Sequence, residues 1–173
     1  PLPEVNATVL IDGRTQPGGW VTLDGSATVD ADGLVFAASG IEVRGLAIGN
    51  FDKTAIVARG GGATIAGNRL GTNEAGSALL PVGFGVAITS AGNTVGGTNA
   101  ADGNVVAATQ GGVHVLGAGA NAIRGNRIGT NEAGTAVLVP GGGIGVLVLG
   151  GPTAPANGVS VEDNTIAGYN RNL

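Results

Sequence analysis

The chain contains one ten-residue phrase twice, 58 residues apart. Residues 67–76 read GNRLGTNEAG and residues 125–134 read GNRIGTNEAG, so a single Leu-to-Ile change separates the two copies. A phrase that returns at a fixed offset predicts that the same structural unit is built again. The repeat restricts the fold to an array of similar units, and it says much less about function.

A finer period lies inside the 58-residue unit. Short runs that read apolar-x-apolar begin at five positions, separated along the chain by 21, 30, 27 and 33 residues. These positions are Val35, Ile56, Val86, Val113 and Val146. The 58-residue unit therefore corresponds to two coils of a solenoid, with three short strands predicted in each coil.

Stacked coils would place equivalent side chains about 4.8 Å apart and form three inward apolar columns. The first column is the set of five positions above. The second is Val43, Ile65, Val95, Ile123 and Val161, and the third is Ile48, Leu70, Val106, Ile128 and Ile166. An inward asparagine ladder is predicted at Asn68, Asn104, Asn126 and Asn164, where each amide would hydrogen-bond to its copies above and below. The predicted fold is an all-β parallel β-helix of about five to six coils.

Residues 1–173 are predicted to form a single β-helix domain. Segments rich in Gly, Pro and Asn interrupt the strands and are expected to project as loops at residues 72–81, 98–103 and 130–143. In a solenoid, such loops gather on one face, where any site is expected. Because the chain opens on Pro1 and contains no Met, we expect it to be a fragment or a processed product.

Composition excludes several classes of protein. With 35 Gly and 43% hydrophobic residues, the chain is too glycine-rich for a helical protein and too apolar for a disordered one. Its eight Lys and Arg residues are scattered and its net charge is −4, which argues against nucleic acid as a partner. The absence of Cys excludes disulfides and thiolate metal sites, and no apolar stretch is long enough for a membrane span. No cofactor is predicted.

Three phrases carry a resemblance to a known family. Residues 11–18 read IDGRTQPG, residues 93–98 read NTVGGT, and residues 125–135 read GNRIGTNEAGT. They resemble bacterial right-handed β-helix repeat proteins of the pectate-lyase-like superfamily, over most of residues 9–168. The resemblance implies a right-handed β-helix and an extracellular or cell-surface location. Family members usually carry a cap over the first coil, and its absence before residue 11 predicts an exposed end.

Acid-base catalysis finds little support in the sequence. The clustered Asn-x-Asp, Asp-Asp, Gly-His-Gly and Arg-x-Lys set of polygalacturonase-like enzymes is absent. The only histidine, His114, lies between two inward valines and is predicted to face outward as a surface residue. Asp30 and Asp32 are candidates for a hard cation, although Asp-x-Asp-Gly is also ordinary turn chemistry. Arg124 and Glu162 are predicted to form an outward ion pair between neighbouring coils.

The repeated phrase supplies the main candidates for surface binding. Glu74 and Glu132 occupy the same place in the two repeated loops, as do Arg69 and Arg127 before them. A repeating charged array would suit a regular polymer or a second subunit, whereas loop folding, with Asn73 and Asn131 satisfying the turns, is the alternative. Trp20, Tyr169 and Arg171 are further candidates for assembly or surface binding, although the area that an indole buries favours Trp20 as a cover over the core end.

These observations predict a non-catalytic extracellular structural or surface module. Open β-helix ends present unpaired backbone groups, so head-to-tail self-assembly into a filament is a further expectation. The first alternative is a polysaccharide-active lyase or hydrolase, and the second is a carbohydrate-binding or adhesin module that uses the loops. The expected partners are a second copy of the chain or a polysaccharide.

Overall fold

The structure is a computed structural model that describes residues 2–151 and 155–171. Eighteen strands form three sheets of six. The first sheet contains β1 (Leu10–Asp12), β4 (Glu42–Arg44), β7 (Thr64–Ile65), β10 (Thr94–Gly96), β13 (Ala122–Arg124) and β16 (Ser160–Glu162). The second contains β2 (Val21–Asp24), β5 (Leu46–Gly49), β8 (Arg69–Leu70), β11 (Val105–Val106), β14 (Arg127–Ile128) and β17 (Thr165–Ile166). The third contains β3 (Leu34–Phe36), β6 (Thr54–Ala58), β9 (Phe84–Ile88), β12 (Gly111–Leu116), β15 (Gly142–Leu149) and β18 (Tyr169–Arg171).

Each strand pairs in parallel with the strand three positions further along the chain. The order β1-β4-β7-β10-β13-β16 and its two counterparts mean that the chain visits the three sheets in turn and then starts again one layer higher. Three consecutive strands therefore make one coil, and six coils are stacked. The predicted all-β fold, a parallel β-helix solenoid with three strands per coil, is confirmed. Two short 3-10 turns, Gly13–Thr15 and Ala100–Asp102, are the helical elements within the described ranges. No helix in those ranges is long and apolar enough to cross a membrane.

Two of the three predicted apolar columns have the predicted members. Val43, Ile65, Val95, Ile123 and Val161 follow one another in register across the first sheet, with Ile11 in front of them. Ile48, Leu70, Val106, Ile128 and Ile166 do the same in the second sheet, preceded by Leu23. Most of these side chains are fully buried, so the core is a set of stacked layers.

The first predicted column is wrong at its first member. Ile56 pairs with Leu34, whereas Val35 pairs with Val57 and faces outward. The run Leu34-Val35-Phe36 has three apolar residues in succession, so alternation alone does not reveal which of them point inward. The remaining members, from Ile56 onward, are in register as predicted.

The predicted asparagine ladder runs along the bend between the first two sheets. Asn68, Asn104 and Asn126 each donate from Nδ2 to the Oδ1 of the next ladder asparagine, at 2.9 to 3.1 Å, and the series ends at Asn164. Each Oδ1 also accepts from a backbone N–H of the preceding coil, beginning with that of Leu46. A shorter ladder, which the sequence reading missed, joins Asn93 to Asn121 at the bend before the first sheet.

Both ends of the described solenoid leave parallel strands with a free edge. Ile11 and Leu23 at one end, and Val161 and Ile166 at the other, are only partly buried although their counterparts in middle coils are fully buried. At the first coil, Val5 forms a one-residue bridge to Phe36 and covers part of the edge of β3. The predicted exposed end is therefore partly covered in the third sheet.

Candidate functional site

The outward face of the second sheet carries the repeated charged residues in a single column. Register places Thr22, Ala47, Arg69, Val105, Arg127 and Thr165 in line, one per coil. Arg69 belongs to the third coil and Arg127 to the fifth. At the parallel strand spacing, the two backbone positions are about 10 Å apart. The predicted array of equivalent arginines lies along this column.

Two repeated loops stand beside the column, between β8 and β9 and between β14 and β15. A bridge from Thr72 to Leu79 closes the first loop as a small hairpin, and the second has the same bridge one repeat later. Asn73 Oδ1 accepts from the backbone N–H groups of Ser77 (2.9 Å) and Ala78 (3.1 Å), and Asn131 makes the equivalent two contacts. The predicted use of these asparagines in loop folding is confirmed. The last two residues of the predicted 130–143 loop already belong to β15.

Arg69 joins three coils. Its Nη2 lies 2.5 Å from Oε2 of Glu132 in the fifth coil, and its guanidinium carbon lies 4.8 Å from the ring centre of Trp20 in the first. The Arg69 side chain is 11% exposed and that of Glu132 is 53% exposed. Burial lowers the pKa of Arg69, and the charge of Glu132 opposes that effect. An arginine stays charged under such a shift, so Arg69 is a largely buried cation held between an aromatic face and a carboxylate.

The two loop glutamates reach equivalent places, each two coils back. Glu74 Oε1 accepts from the Thr22 hydroxyl at 2.8 Å, just as Glu132 contacts Arg69. The loops also contact each other, because Glu132 N–H donates to Gly76 O at 2.9 Å. The charged residues of the repeat therefore make contacts between coils, and Arg69 is the arginine that takes part in them.

Arg127 differs from Arg69 in its surroundings. It forms none of the ion pairs found among residues 2–151 and 155–171. Beside it lies a cavity of about 350 Å³, whose walls include Thr98, Asn99, Glu132 and Asp163. One wall is the segment 97–103 and the other is the loop that carries Glu132. A smaller cleft continues from there past Glu132 to Arg69, Trp20 and Arg14.

The 97–103 segment is fixed by contacts that the sequence did not reveal. Arg44 Nη1 donates to Asp102 Oδ1 at 2.7 Å, and Asn99 Nδ2 donates to Asp102 Oδ2 at 2.9 Å. Both hydrogen bonds lower the pKa of Asp102, and the one from Asn99 has the larger effect. Arg44 also contacts Glu42 on its own strand. A lone aspartate in an insertion gives no sequence signal of the coil that it will touch.

Tyr169 is not a surface residue. It is 8% exposed, its ring packs against Gly129 and Gly142, and its hydroxyl accepts from Ala108 N–H at 3.4 Å. Burial raises the pKa of Tyr169 to about 12. Its selection for surface binding is therefore wrong, because two glycines make room for the ring inside the core. Arg171 lies exposed on β18, opposite Ile144.

Asp30 and Asp32 act in turn formation and pairing. Asp32 Oδ1 accepts from Thr54 N–H at 3.0 Å, and Asp30 forms an exposed ion pair of 3.0 Å with Lys53. Asp30 also adopts a left-handed backbone, with φ 54°. Over the part of the chain that the structure describes, no group of three or more His, Asp or Glu side chains is placed to hold a metal ion.

His114 faces outward from β12, as predicted, but it is half-buried. Its ring meets that of Phe84 edge-on, with 5.0 Å between centroids, and a Cβ on Gly111 would collide with it. Burial lowers the pKa of His114, and a hydrogen bond with the Ile144 backbone opposes the shift.

The predicted Arg124–Glu162 ion pair is wrong: the residues are in register, yet no contact within 4.0 Å joins these two described side chains.

The geometry defines a class of protein: a six-coil parallel β-helix with a narrow polar groove between a fixed insertion and a pair of repeated loops. Comparisons with models of known protein families, with curated proteins and with solved structures found no match.

Proposed function

We propose that this chain is a non-catalytic structural module of an extracellular or cell-surface protein and that it assembles end to end with further copies. The observation that carries the proposal is the pair of open ends. Within residues 2–151 and 155–171, β1 and β2 have free edges at the first coil, and the strands of all three sheets have free edges at the last coil. The half-buried ends of the apolar columns, Ile11 with Leu23 and Val161 with Ile166, complement each other in a head-to-tail stack. Burying such surface stabilises association, and the unpaired backbone groups give it direction.

The use of the charged side chains supports a structural role. Most of the ion pairs join one coil to another or fix a loop to the coils. These contacts are Arg69–Glu132, Arg44–Asp102, Arg59–Glu4 and Lys53–Asp30. The resemblance to bacterial β-helix repeat proteins remains a prediction, and the proposed location depends on it.

Two details of the ends govern the proposed contact. Val5 already occupies part of the β3 edge, so the contact uses the first two sheets and Val5 itself. Val21 is the first-coil residue in register with the asparagine ladder, through Leu46 and Asn68. In a head-to-tail stack Val21 therefore faces Asn164, whose Nδ2 donates only to Ile123 O among the described residues. Val21 has no side-chain acceptor, so this junction lacks the hydrogen bond that joins each pair of neighbouring ladder asparagines inside the chain.

The proposal is tested by light scattering and negative-stain electron microscopy over a series of concentrations. We expect fibres of uniform width for the wild type. Ile166→Lys places a charge at the open end of the third column and should leave the chain monomeric. Ser160→Lys adds the same charge on the outward face of the last coil and should assemble like the wild type. A monomeric wild type at every concentration, or an unchanged Ile166→Lys, contradicts the proposal, provided that circular dichroism shows both variants folded.

A polysaccharide-binding surface is the second candidate, and the groove favours it. The groove offers polar groups of Thr98 and Asn99, and Trp20 lies at its far end. Binding to a glycan panel that is lost in Trp20→Ala and Asn99→Ala would support this function, and turnover of the bound glycan would indicate the lyase or hydrolase alternative instead.

A further inference from the structure

We infer that Arg127 and the backbone carbonyl of Gly134 form a binding site for a glutamate residue of a partner polypeptide. The inference is based on the internal repeat, because the same pair of groups one repeat earlier already holds a glutamate. It concerns the outward face of the second sheet and is independent of the proposed end-to-end contact.

The occupied copy of the site shows what is bound and how. Arg69 Nη2 contacts the Glu132 carboxylate at 2.5 Å, and Gly76 O accepts the N–H of the same Glu132 at 2.9 Å. One glutamate residue is therefore recognised twice, by its side chain and by its own backbone. A free carboxylate lacks the N–H, so this arrangement selects a glutamate within a polypeptide.

The second copy has the same two groups in the same relation. Arg127 is in register with Arg69 through Val105, and Gly134 is the repeat equivalent of Gly76. A Cβ on Gly76 would lie 3.1 Å from Arg69 Nε, and a Cβ on Gly134 would lie 3.3 Å from Arg127 Nε. Each arginine therefore runs past its glycine at nearly the same distance.

In the second copy both groups are available. No ion pair engages Arg127, and no backbone N–H donates to Gly134 O, within residues 2–151 and 155–171. The cavity of about 350 Å³ opens directly beside Arg127. Its rim offers Thr98 and Asn99 as further hydrogen-bonding groups.

Two carboxylates line the cavity and oppose the proposed ligand: that of Glu132, which is paired with Arg69, and that of Asp163. Asp163 lies two residues before Thr165, the partner of Arg127, just as Gly103 lies two residues before Val105, the partner of Arg69. A second carboxylate near Arg127 weakens binding of an incoming one. Affinity is therefore expected to be low in the wild type and to rise when Asp163 loses its charge.

The partner is not the end-to-end neighbour of the proposed function. The turn after β2 of that neighbour would approach Arg127. Because Leu23 is in register with Leu70, Ala27 in this turn takes the position of Glu74 and Glu132. That neighbour therefore brings no glutamate to the site. The ligand is a glutamate in a tight turn of another polypeptide, of the kind found in the sequence Thr-Asn-Glu-Ala-Gly.

The test is a nuclear magnetic resonance titration of the full chain with a blocked Thr-Asn-Glu-Ala-Gly peptide, monitored at arginine Nε–Hε and backbone amide resonances. We expect saturable shifts at Arg127 and next to Gly134, with a Kd in the millimolar range, about what one ion pair and one hydrogen bond provide. Arg69 should not respond, because Glu132 occupies it. The matched peptide with Gln in place of Glu should bind at least about tenfold more weakly.

Three variants make the outcome decisive. Arg127→Gln should abolish the shifts, and Asp163→Asn should strengthen binding about two- to tenfold. Glu132→Gln removes the carboxylate but leaves the N–H of residue 132 on Gly76 O, so the peptide should still shift the Arg127 resonance and not that of Arg69. No shift at Arg127, equal binding of the Gln peptide, shifts that persist in Arg127→Gln, or identical shifts with acetate alone would each overturn the inference.

Discussion

Arg69 Nη2 and Glu132 Oε2 lie 2.5 Å apart and connect the third coil of the solenoid to the fifth. This contact spans a whole coil, which backbone ladders between neighbouring strands do not. It fixes the second repeated loop against the first and closes one side of the groove.

Replacing Glu132 by Gln should lower the free energy of unfolding by about 1 to 2 kcal/mol. The change leaves the Arg69 charge, which is largely buried, without its counter-ion, while the 53% exposure of Glu132 limits the loss. Glu74→Gln is the matched control, because among the described residues Glu74 hydrogen-bonds only to the neutral Thr22 hydroxyl, and it should cost less than about 0.5 kcal/mol. Urea unfolding measures both. Equal losses in the two variants would contradict the account.

Replacing Asn104 by Ala should cost about 2 to 4 kcal/mol. Asn104 is fully buried, and its loss removes the hydrogen bonds that it makes with the Asn68 N–H and the Ile65 carbonyl. Asn99→Ala removes an exposed asparagine and should stay within about 0.5 kcal/mol of the wild type. Thermal or urea unfolding distinguishes the two, and a mild effect at Asn104 would mean that the ladder contributes little.

Replacing Ala120 by Gly should stabilise the chain by about 0.5 to 1 kcal/mol. Ala120 has φ 54°, in the left-handed region that is unfavourable for a residue with a Cβ, and the equivalent Gly62, Gly92 and Gly158 have φ 69°, 75° and 70°. The reverse change, Gly92→Ala, meets no atom closer than 3.8 Å, so strain alone should destabilise it by about 1 kcal/mol. Calorimetry should show shifts of Tm in opposite directions, and shifts in the same direction would contradict this explanation.

Tyr169 should make stability fall in alkaline solution. Its pKa is raised to about 12 by burial, against about 10 in an unfolded chain, so the folded state favours the protonated form. The stabilisation that comes from this preference, roughly 3 kcal/mol in total, is fully present below pH of about 10. It is lost as the pH rises towards about 12. Tyr169→Phe should lack this component. As the chain has one tyrosine, phenolate absorbance reports its titration directly. A midpoint near 10 in the folded protein would contradict burial.

Much of the fold could be predicted from the sequence because every coil of a solenoid repeats the same pattern of apolar residues. Ile65, Val95 and Ile123 are apolar at equivalent places, and each coil confirms the register of the next. The prediction for Val35 was wrong because Val35 lies in a run of three apolar residues in the first copy of its column, where no earlier coil offers a comparison.

The site was less predictable because it depends on side chains that meet across coils. The sequence marked Arg69 and Glu132 as repeated positions, but nothing in it indicated that the glutamate reaches two coils back. The position of Tyr169 depended on two distant glycines, and the Arg44–Asp102 contact on the path of an insertion. Register and loop geometry determine such contacts, and they become visible only when the coils are stacked.

End-to-end assembly is tested most directly by completing the ladder at the proposed junction. Val21→Asn supplies the acceptor that Asn164 lacks, and one or two added hydrogen bonds should promote association at a concentration at least about tenfold lower than for the wild type. Val21→Ala is the control and should not do so. Sedimentation velocity over a range of concentrations gives the answer: earlier association of Val21→Asn alone is the predicted result, and a single non-associating species for both the wild type and Val21→Asn would contradict the account.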